Sequence, residues 1–135
     1  MLCVKPTDDE NLKNEILGRV QVIGDKPDVL TAVENGCLLG YAALDPVGSE
    51  LRLADFSITS CKDPENPTAE DMEIAEYLVR AAGNYAYNRL MSTLSYDSLA
   101  YKALLKRFRF EEINNKLTLD IKVLFKKCEN CSNNH

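Results

Sequence analysis

Apolar positions along the chain switch between a period of two and a period near 3.6, and each switch marks an element boundary. Leu2-Cys3-Val4 reads as a short first strand. A helix follows from about Asp9 to Arg19, with Leu12, Ile16 and Leu17 on one face and Thr7, Asp8 and Asp9 as start signals. Residues 20–27 carry no clear period. An extended segment ending at Gly24-Asp25-Lys26-Pro27 is one reading of them.

The sharpest local signal is Glu34-Asn35-Gly36 between two apolar runs, Val29–Val33 and Cys37–Leu44. Asn-Gly tolerates the positive φ angles of a tight type I′ turn, so this stretch predicts a β-hairpin. Its second strand is apolar on both faces and therefore belongs inside the sheet. Along Leu51–Ile58 the phase slips: Leu51 and Leu53 point one way, whereas the next large apolar pair is Phe56 and Ile58. A β-bulge near Ala54-Asp55 produces such a slip. So does a strand buried on both faces.

Beyond a proline-rich loop, Thr68 opens a long helix, and Thr68-x-x-Asp71 approximates a capping box. Met72, Ala75, Val79, Ala82 and Ala86 recur at helical spacing. Gly83 within this helix costs roughly 1 kcal/mol against alanine, which points to close packing there. Leu90–Leu94 reads as a short strand, and Asp97 or Ser98 as the cap of a helix running to about Phe108. Leu117, Leu119, Ile121, Val123 and Phe125 alternate with Thr118, Asp120, Lys122, Leu124 and Lys126, a nearly clean period of two that marks an antiparallel strand with one wet face. Asn114-Asn115-Lys116 is its entry turn.

Composition narrows the class. The 135 residues are 45% hydrophobic and 27% charged, which suits one globular domain with a real core. Residues 1–127 are expected to form that domain and residues 128–135 a flexible polar tail. No apolar run approaches the length of a membrane span, and the N-terminus does not resemble a signal peptide, so a cytoplasmic protein is expected. A net charge of −5 argues against nucleic acid. Residues 1–76 hold 6 basic and 16 acidic side chains, and residues 77–135 hold 10 and 5. Two ends that offset each other in the fold, or an acidic face that selects a cationic amine, are both consistent with this. Five cysteines, an odd number, point to free thiols. Cys128, Cys131 and His135 are three residues of zinc-ligand type, one short of a closed site, and no bound metal is expected.

Four stretches carry a family resemblance: Asn35–Leu44, Glu50–Ile58, the helix from Thr68, and Ser98–Phe110. The first is similar to the "n-g-x-l-v-G-y-a-x-l" hairpin of the GNAT N-acetyltransferases, and the last to their "a-x-x-l-Y-x-k-l-G-F" segment. The resemblance spans about residues 1–125. It implies a mixed α/β (α+β) fold, a mostly antiparallel twisted sheet with helices on both faces. It also implies transfer of an acyl group from acetyl-CoA or another acyl-CoA to a small-molecule or peptide amine. In this reading Tyr101 assists departure of the thiolate, and Glu50 or Asp55 deprotonates the amine. Ser57, Ile58, Thr68 and Ala69 lie where the cofactor binds.

Each of these residues also has an ordinary reading: a half-buried tyrosine on an amphipathic helix, and strand-end carboxylates. Lys102, Lys106, Arg107 and Arg109 make a basic stripe that could meet a phosphate, an acidic partner or simply water.

Two departures fall at chemically important places. The loop before the long helix reads Thr59-Ser60-Cys61-Lys62-Asp63-Pro64-Glu65-Asn66-Pro67-Thr68, without the glycines that let a backbone approach a pyrophosphate. From Lys62 to Glu76 one basic residue faces six acidic ones. Arg109 stands where the family's glycine precedes the phenylalanine. A second function class therefore stays open, a binding or assembly module without catalysis that could form a homodimer.

Overall fold

A computed structural model describes residues 2–124. Among these residues the elements follow in the order β1 Leu2–Pro6, α1 Glu10–Gly18, β2 Asp28–Glu34, β3 Cys37–Val47, β4 Glu50–Ile58, α2 Ala69–Asn88, β5 Thr93–Tyr96, α3 Lys102–Lys106, β6 Glu111–Ile113 and β7 Lys116–Asp120, with a further helical stretch at 121–124. The strands form one sheet in the order β1-β2-β3-β4-β5-β7-β6. Every neighbouring pair is antiparallel except β4 and β5. The expected mixed, mostly antiparallel α+β architecture is what the chain forms.

The hairpin turn is where Asn-Gly placed it, with Asn35 at φ 52° and Gly36 at φ 81°. The phase slip on β4 is a bulge: Ala43 faces Asp55 while Leu44 faces Leu53, so Ala54 is the extra residue. A second bulge, which the sequence pattern did not expose, lies on β3 at Leu39. The bulge keeps Leu51, Leu53, Phe56 and Ile58 on one face despite their broken alternation.

That face carries the main core. Against it α2 lays Ile74, Ala75, Leu78, Val79 and Ala82, and α3 adds Leu104 and Leu105. On the opposite face Ile16 of α1 packs against Val29 and Ala43. Helices thus cover both faces. Gly83 serves packing, since a Cβ there would meet Leu124 Cδ1 at 2.6 Å.

Four expectations need correction. Residues 20–27 form no strand. Instead the fully buried Asp45 fastens them, accepting hydrogen bonds from the amides of Ile23 (2.7 Å) and Gly24 (2.8 Å). Arg52 completes the tie, donating to Asp45 Oδ2 (3.1 Å) and to the carbonyl of Gln21.

The strand expected at 90–94 begins at Thr93, because α2 needs the preceding residues to stop. Leu90 takes φ 59°, its amide bonds to the Tyr87 carbonyl, and Met91 N–H reaches Ala86 (2.9 Å), a Schellman ending.

The helix expected from Asp97 or Ser98 begins only at Lys102. Asp97 is drawn to Arg52 (3.7 Å), and Ser98 Oγ accepts from Ala100 N in a turn.

Last, β7 stops at Asp120 and residues 121–124 are helical, although the alternation continued to Phe125. The Asp120 carboxylate accepts from Lys122 N (2.9 Å) and turns the chain there. Cys128, Cys131 and His135 lie outside the described residues.

Candidate functional site

The parallel seam between β4 and β5 is short. Only Glu50–Arg52 pair with Thr93–Ser95, after which the strands part and β4 runs on to Ile58. A fork results in the middle of the sheet, and most of the candidate residues gather around it.

Tyr101 enters the fork from the segment leading into α3. Its phenol oxygen accepts the Ile58 amide hydrogen (3.1 Å), and its ring meets Phe56 edge-on at 5.5 Å. Its own amide donates to the hydroxyl oxygen of Tyr96 (3.1 Å), a residue only 1% exposed. Burial pushes the Tyr96 phenol up, and the charge of Asp55 adds to that rise.

Asp55 itself accepts the Tyr41 hydroxyl proton (2.8 Å) through Oδ2 and the Phe56 amide through Oδ1. Burial, reinforced by this carboxylate, pushes Tyr41 up to about 12. Tyr41 therefore stays protonated and donates to Asp55 at every ordinary pH.

Glu50 is differently employed. Burial would raise its pKa, but Lys116 (2.8 Å) and Ser95 (2.7 Å) both donate to Oε2, and the charge of Arg52 adds to them. The net result holds Glu50 below the usual carboxylate range. A carboxylate this well satisfied is a poor proton acceptor.

The register of Tyr101 also differs from the pattern that suggested it. There the tyrosine precedes the closing phenylalanine by five positions. Five back from Phe110 is Leu105, which is fully buried, and Tyr101 stands about one helical turn earlier.

The start of α2 shows why the glycines are missing. Thr68 caps the helix, its hydroxyl oxygen accepting from Asp71 N (3.1 Å), and Asp71 Oδ2 accepts from Thr68 N (3.0 Å). The Asp71 carboxylate is only 2% exposed and takes a further short hydrogen bond from Ser60 Oγ (2.5 Å). Upstream, Asp63 closes an Asx turn, its carboxylate accepting from the Glu65 amide and the Asn66 side chain. Asn66 N bonds the Asp63 carbonyl, Cys61 N bonds Ile58, and Thr59 N bonds Leu39. Pro64 and Pro67 have no N–H to offer.

The amides of Thr59, Cys61, Glu65, Asn66, Thr68 and Asp71 are thus already spent on partners within the fold. A buried carboxylate already occupies the favourable end of the helix dipole. These residues do not fit a pyrophosphate. Thr68 is the cap, Ala69 is the first helical residue, Ser57 sits opposite Tyr41, and the Ile58 amide is taken by Tyr101.

Asp71 was legible only as half of a capping box. Its hydroxyl partner Ser60 comes from across the loop. The roles of Tyr41, Ser95 and Lys116 had no local sequence signal, because each meets its partner across strands, and Tyr96 meets Tyr101 across the turn before α3.

One consequence concerns acid stability. For Asp71 burial acts upward, but hydrogen bonds from Ser60, Thr68 and Cys61 outweigh it and hold the pKa below its usual value, as for Glu50. Their contribution is complete above the ordinary carboxylate range and is lost as pH falls through the lowered values. Urea midpoints should therefore drop steeply below about pH 4. The double variant Asp71→Asn, Glu50→Gln should flatten that drop. An unchanged profile would contradict this account.

No protein-family model and no curated protein matches the sequence. Solved structures do. An aminoglycoside 6′-N-acetyltransferase from Enterococcus faecium superposes with a TM-score of 0.65 at 11% identity, over 88% of this chain and 97% of that one. A GNAT family acetyltransferase from Elizabethkingia anophelis with acetyl-CoA bound gives 0.62 at 12%, over 88% and 97%. IAA acetyltransferase from Bacillus cereus gives 0.62 at 15%, over 89% and 99%. Such near-complete coverage at such low identity speaks of shared architecture. With its forked sheet and α2 packed behind β2–β4, this chain has the GNAT acetyltransferase fold.

Proposed function

We propose that this domain transfers an acyl group from an acyl thioester to an amine, and does so without the usual grip on a nucleotide pyrophosphate. The fork carries this reading. Supporting it, β4 runs on past its parallel pairing with β5, Tyr101 reaches the Ile58 amide on that length, and Tyr96 accepts from the Tyr101 amide beside it. Asp55, oriented by the Tyr41 hydroxyl and the Phe56 amide, is the group to receive a proton from the amine. To serve a thiolate, the Tyr101 O–H must turn away from the Ile58 carbonyl to which it donates at 3.5 Å. Glu50 holds Ser95 and Lys116 at the seam and plays a positioning part. Nucleic acid is no partner in this reading.

The reading is tested by thermal melts with acetyl-CoA and with acetyl-pantetheine, which lacks the nucleotide. A ligand present at about 100 times its dissociation constant adds roughly 2.7 kcal/mol. If the Asp71 carboxylate at the start of α2 repels the pyrophosphate, acetyl-CoA should shift the melt less than acetyl-pantetheine does. A much larger shift with acetyl-CoA would mean that the pyrophosphate is gripped after all.

A second reading, a binding or assembly module without catalysis, is favoured by one observation: Asp71 and Tyr101 already satisfy the groups a ligand would need. Failure of both donors at millimolar concentration would decide for it.

A further inference from the structure

Tyr101 precedes α3 at φ −117° and ψ 22°, away from helical values of about −63° and −42°, and no side-chain bond caps the helix there. Both of its peptide groups are nevertheless held. From downstream, Leu105 N donates to the Tyr101 carbonyl at 2.9 Å. From upstream, the Tyr96 hydroxyl accepts the Tyr101 amide hydrogen at 3.1 Å. A residue has only two soft backbone torsions, so fixing both peptide groups fixes the direction of its Cα–Cβ bond. The phenol of Tyr101 is aimed by that bond.

The segment between the two tyrosines does little of this work. Residues 97–100 are exposed, Leu99 at 78%. Asp97 faces Arg52 at 3.7 Å with its own side chain 54% exposed, and such pairs contribute little. The Ala100 amide bonds only the Ser98 hydroxyl, two residues away. Tyr96 is the firm point. It ends β5, pairs with Leu117 of β7 and is only 1% exposed. Phenylalanine would fill the same space in the core. A buried tyrosine hydroxyl needs a partner, and here the partner is the Tyr101 amide.

At the far end of the Tyr101 side chain, the hydroxyl accepts from Ile58 N (3.1 Å) and donates to the Ile58 carbonyl (3.5 Å). The ring rests edge-on against Phe56. One line of contacts therefore runs from the Tyr96 hydroxyl through the Tyr101 backbone and phenol to Ile58.

We propose that Tyr96 is the positioning residue for Tyr101, its buried hydroxyl fixing the Tyr101 backbone so that the phenol meets the Ile58 peptide groups in the fork. Its bearing on thiolate departure rests on the acyl-transfer reading; the placement of the phenol does not.

The test is Tyr96→Phe, which removes one oxygen and keeps the ring. Amide hydrogen exchange followed by NMR reads Ile58 directly. Protection there should fall about ten-fold, the equivalent of one hydrogen bond, while the remaining strands keep theirs and show the domain folded. Tyr101→Phe should give the same loss at Ile58. Adding Tyr96→Phe to it should change Ile58 no further, because both act through one phenol. Asp97→Asn, at the exposed end of the same segment, should leave Ile58 protection within about two-fold. Unchanged protection of Ile58 in Tyr96→Phe would overturn the proposal. So would losses that add in the double variant, or an equal loss in Asp97→Asn. None of these readouts needs turnover, so Tyr96 can fail as the positioning residue while acyl transfer stands, and the reverse.

Discussion

Replacing Asp45 with alanine is expected to destabilise the domain by about 3–5 kcal/mol, the usual cost of leaving one partner of a buried ion pair alone. Asp45 is fully buried and holds two backbone amides of the 20–27 segment together with the Arg52 side chain. Without it, Arg52 keeps only the partly exposed Asp97 carboxylate at 3.7 Å and the Gln21 carbonyl. The Ile23 and Gly24 amides lose their acceptor in a place where Gly24 leaves no space for repacking, because a Cβ there would strike the Pro46 carbonyl. In a domain of this size the Tm should fall by roughly 10–20 °C. Asp45→Asn keeps an acceptor oxygen and should lose about half as much. Urea melts with unchanged m values would check both. A loss below about 1 kcal/mol in the alanine variant would show that the segment is fastened elsewhere.

The second large effect is a gain. Asp71→Asn should tighten acetyl-CoA at least ten-fold while leaving acetyl-pantetheine unchanged. The Asp71 carboxylate holds the start of α2, where the proposed reading puts the pyrophosphate. Two unit charges about 5 Å apart repel by roughly 3 kcal/mol at an effective dielectric constant of 20. Half of that exceeds the 1.4 kcal/mol of a ten-fold change.

The variant should also lose about 1–2 kcal/mol of stability, since an amide oxygen replaces a carboxylate that accepts from Ser60 and Thr68. Calorimetric titration of both donors into both proteins separates the possibilities. Equal gains for the two donors would place the effect outside the pyrophosphate seat. No binding by either protein would leave the non-catalytic reading standing.

What was legible in the sequence follows the range of each interaction. Asn35-Gly36 and the Thr68–Asp71 box act within four residues, and both appear where expected. The bulge at Ala54 could be read because Leu51, Leu53, Phe56 and Ile58 must all reach one core. Asp45 could not, because its partners lie 21 and 22 residues upstream and nothing local marks the site. The start of α3 was misplaced because Asp97, a good helix cap in isolation, is drawn towards Arg52, 45 residues earlier. At the candidate site the loop composition already told of an anion-rich helix start. The tyrosines and Lys116 around the fork and seam gain meaning only when β4, β5 and β7 lie side by side.

The fork has a consequence for solubility. An interior strand that outruns its neighbour presents an edge in the middle of a sheet, and an edge with free backbone groups is a template for another chain. Beyond Arg52, β4 has no strand partner on the β5 side. Tyr101 closes part of that row at Ile58, and Phe56 beneath its ring is nearly inaccessible. By holding the Ile58 amide, the Tyr101 phenol leaves an added strand one donor fewer to pair with.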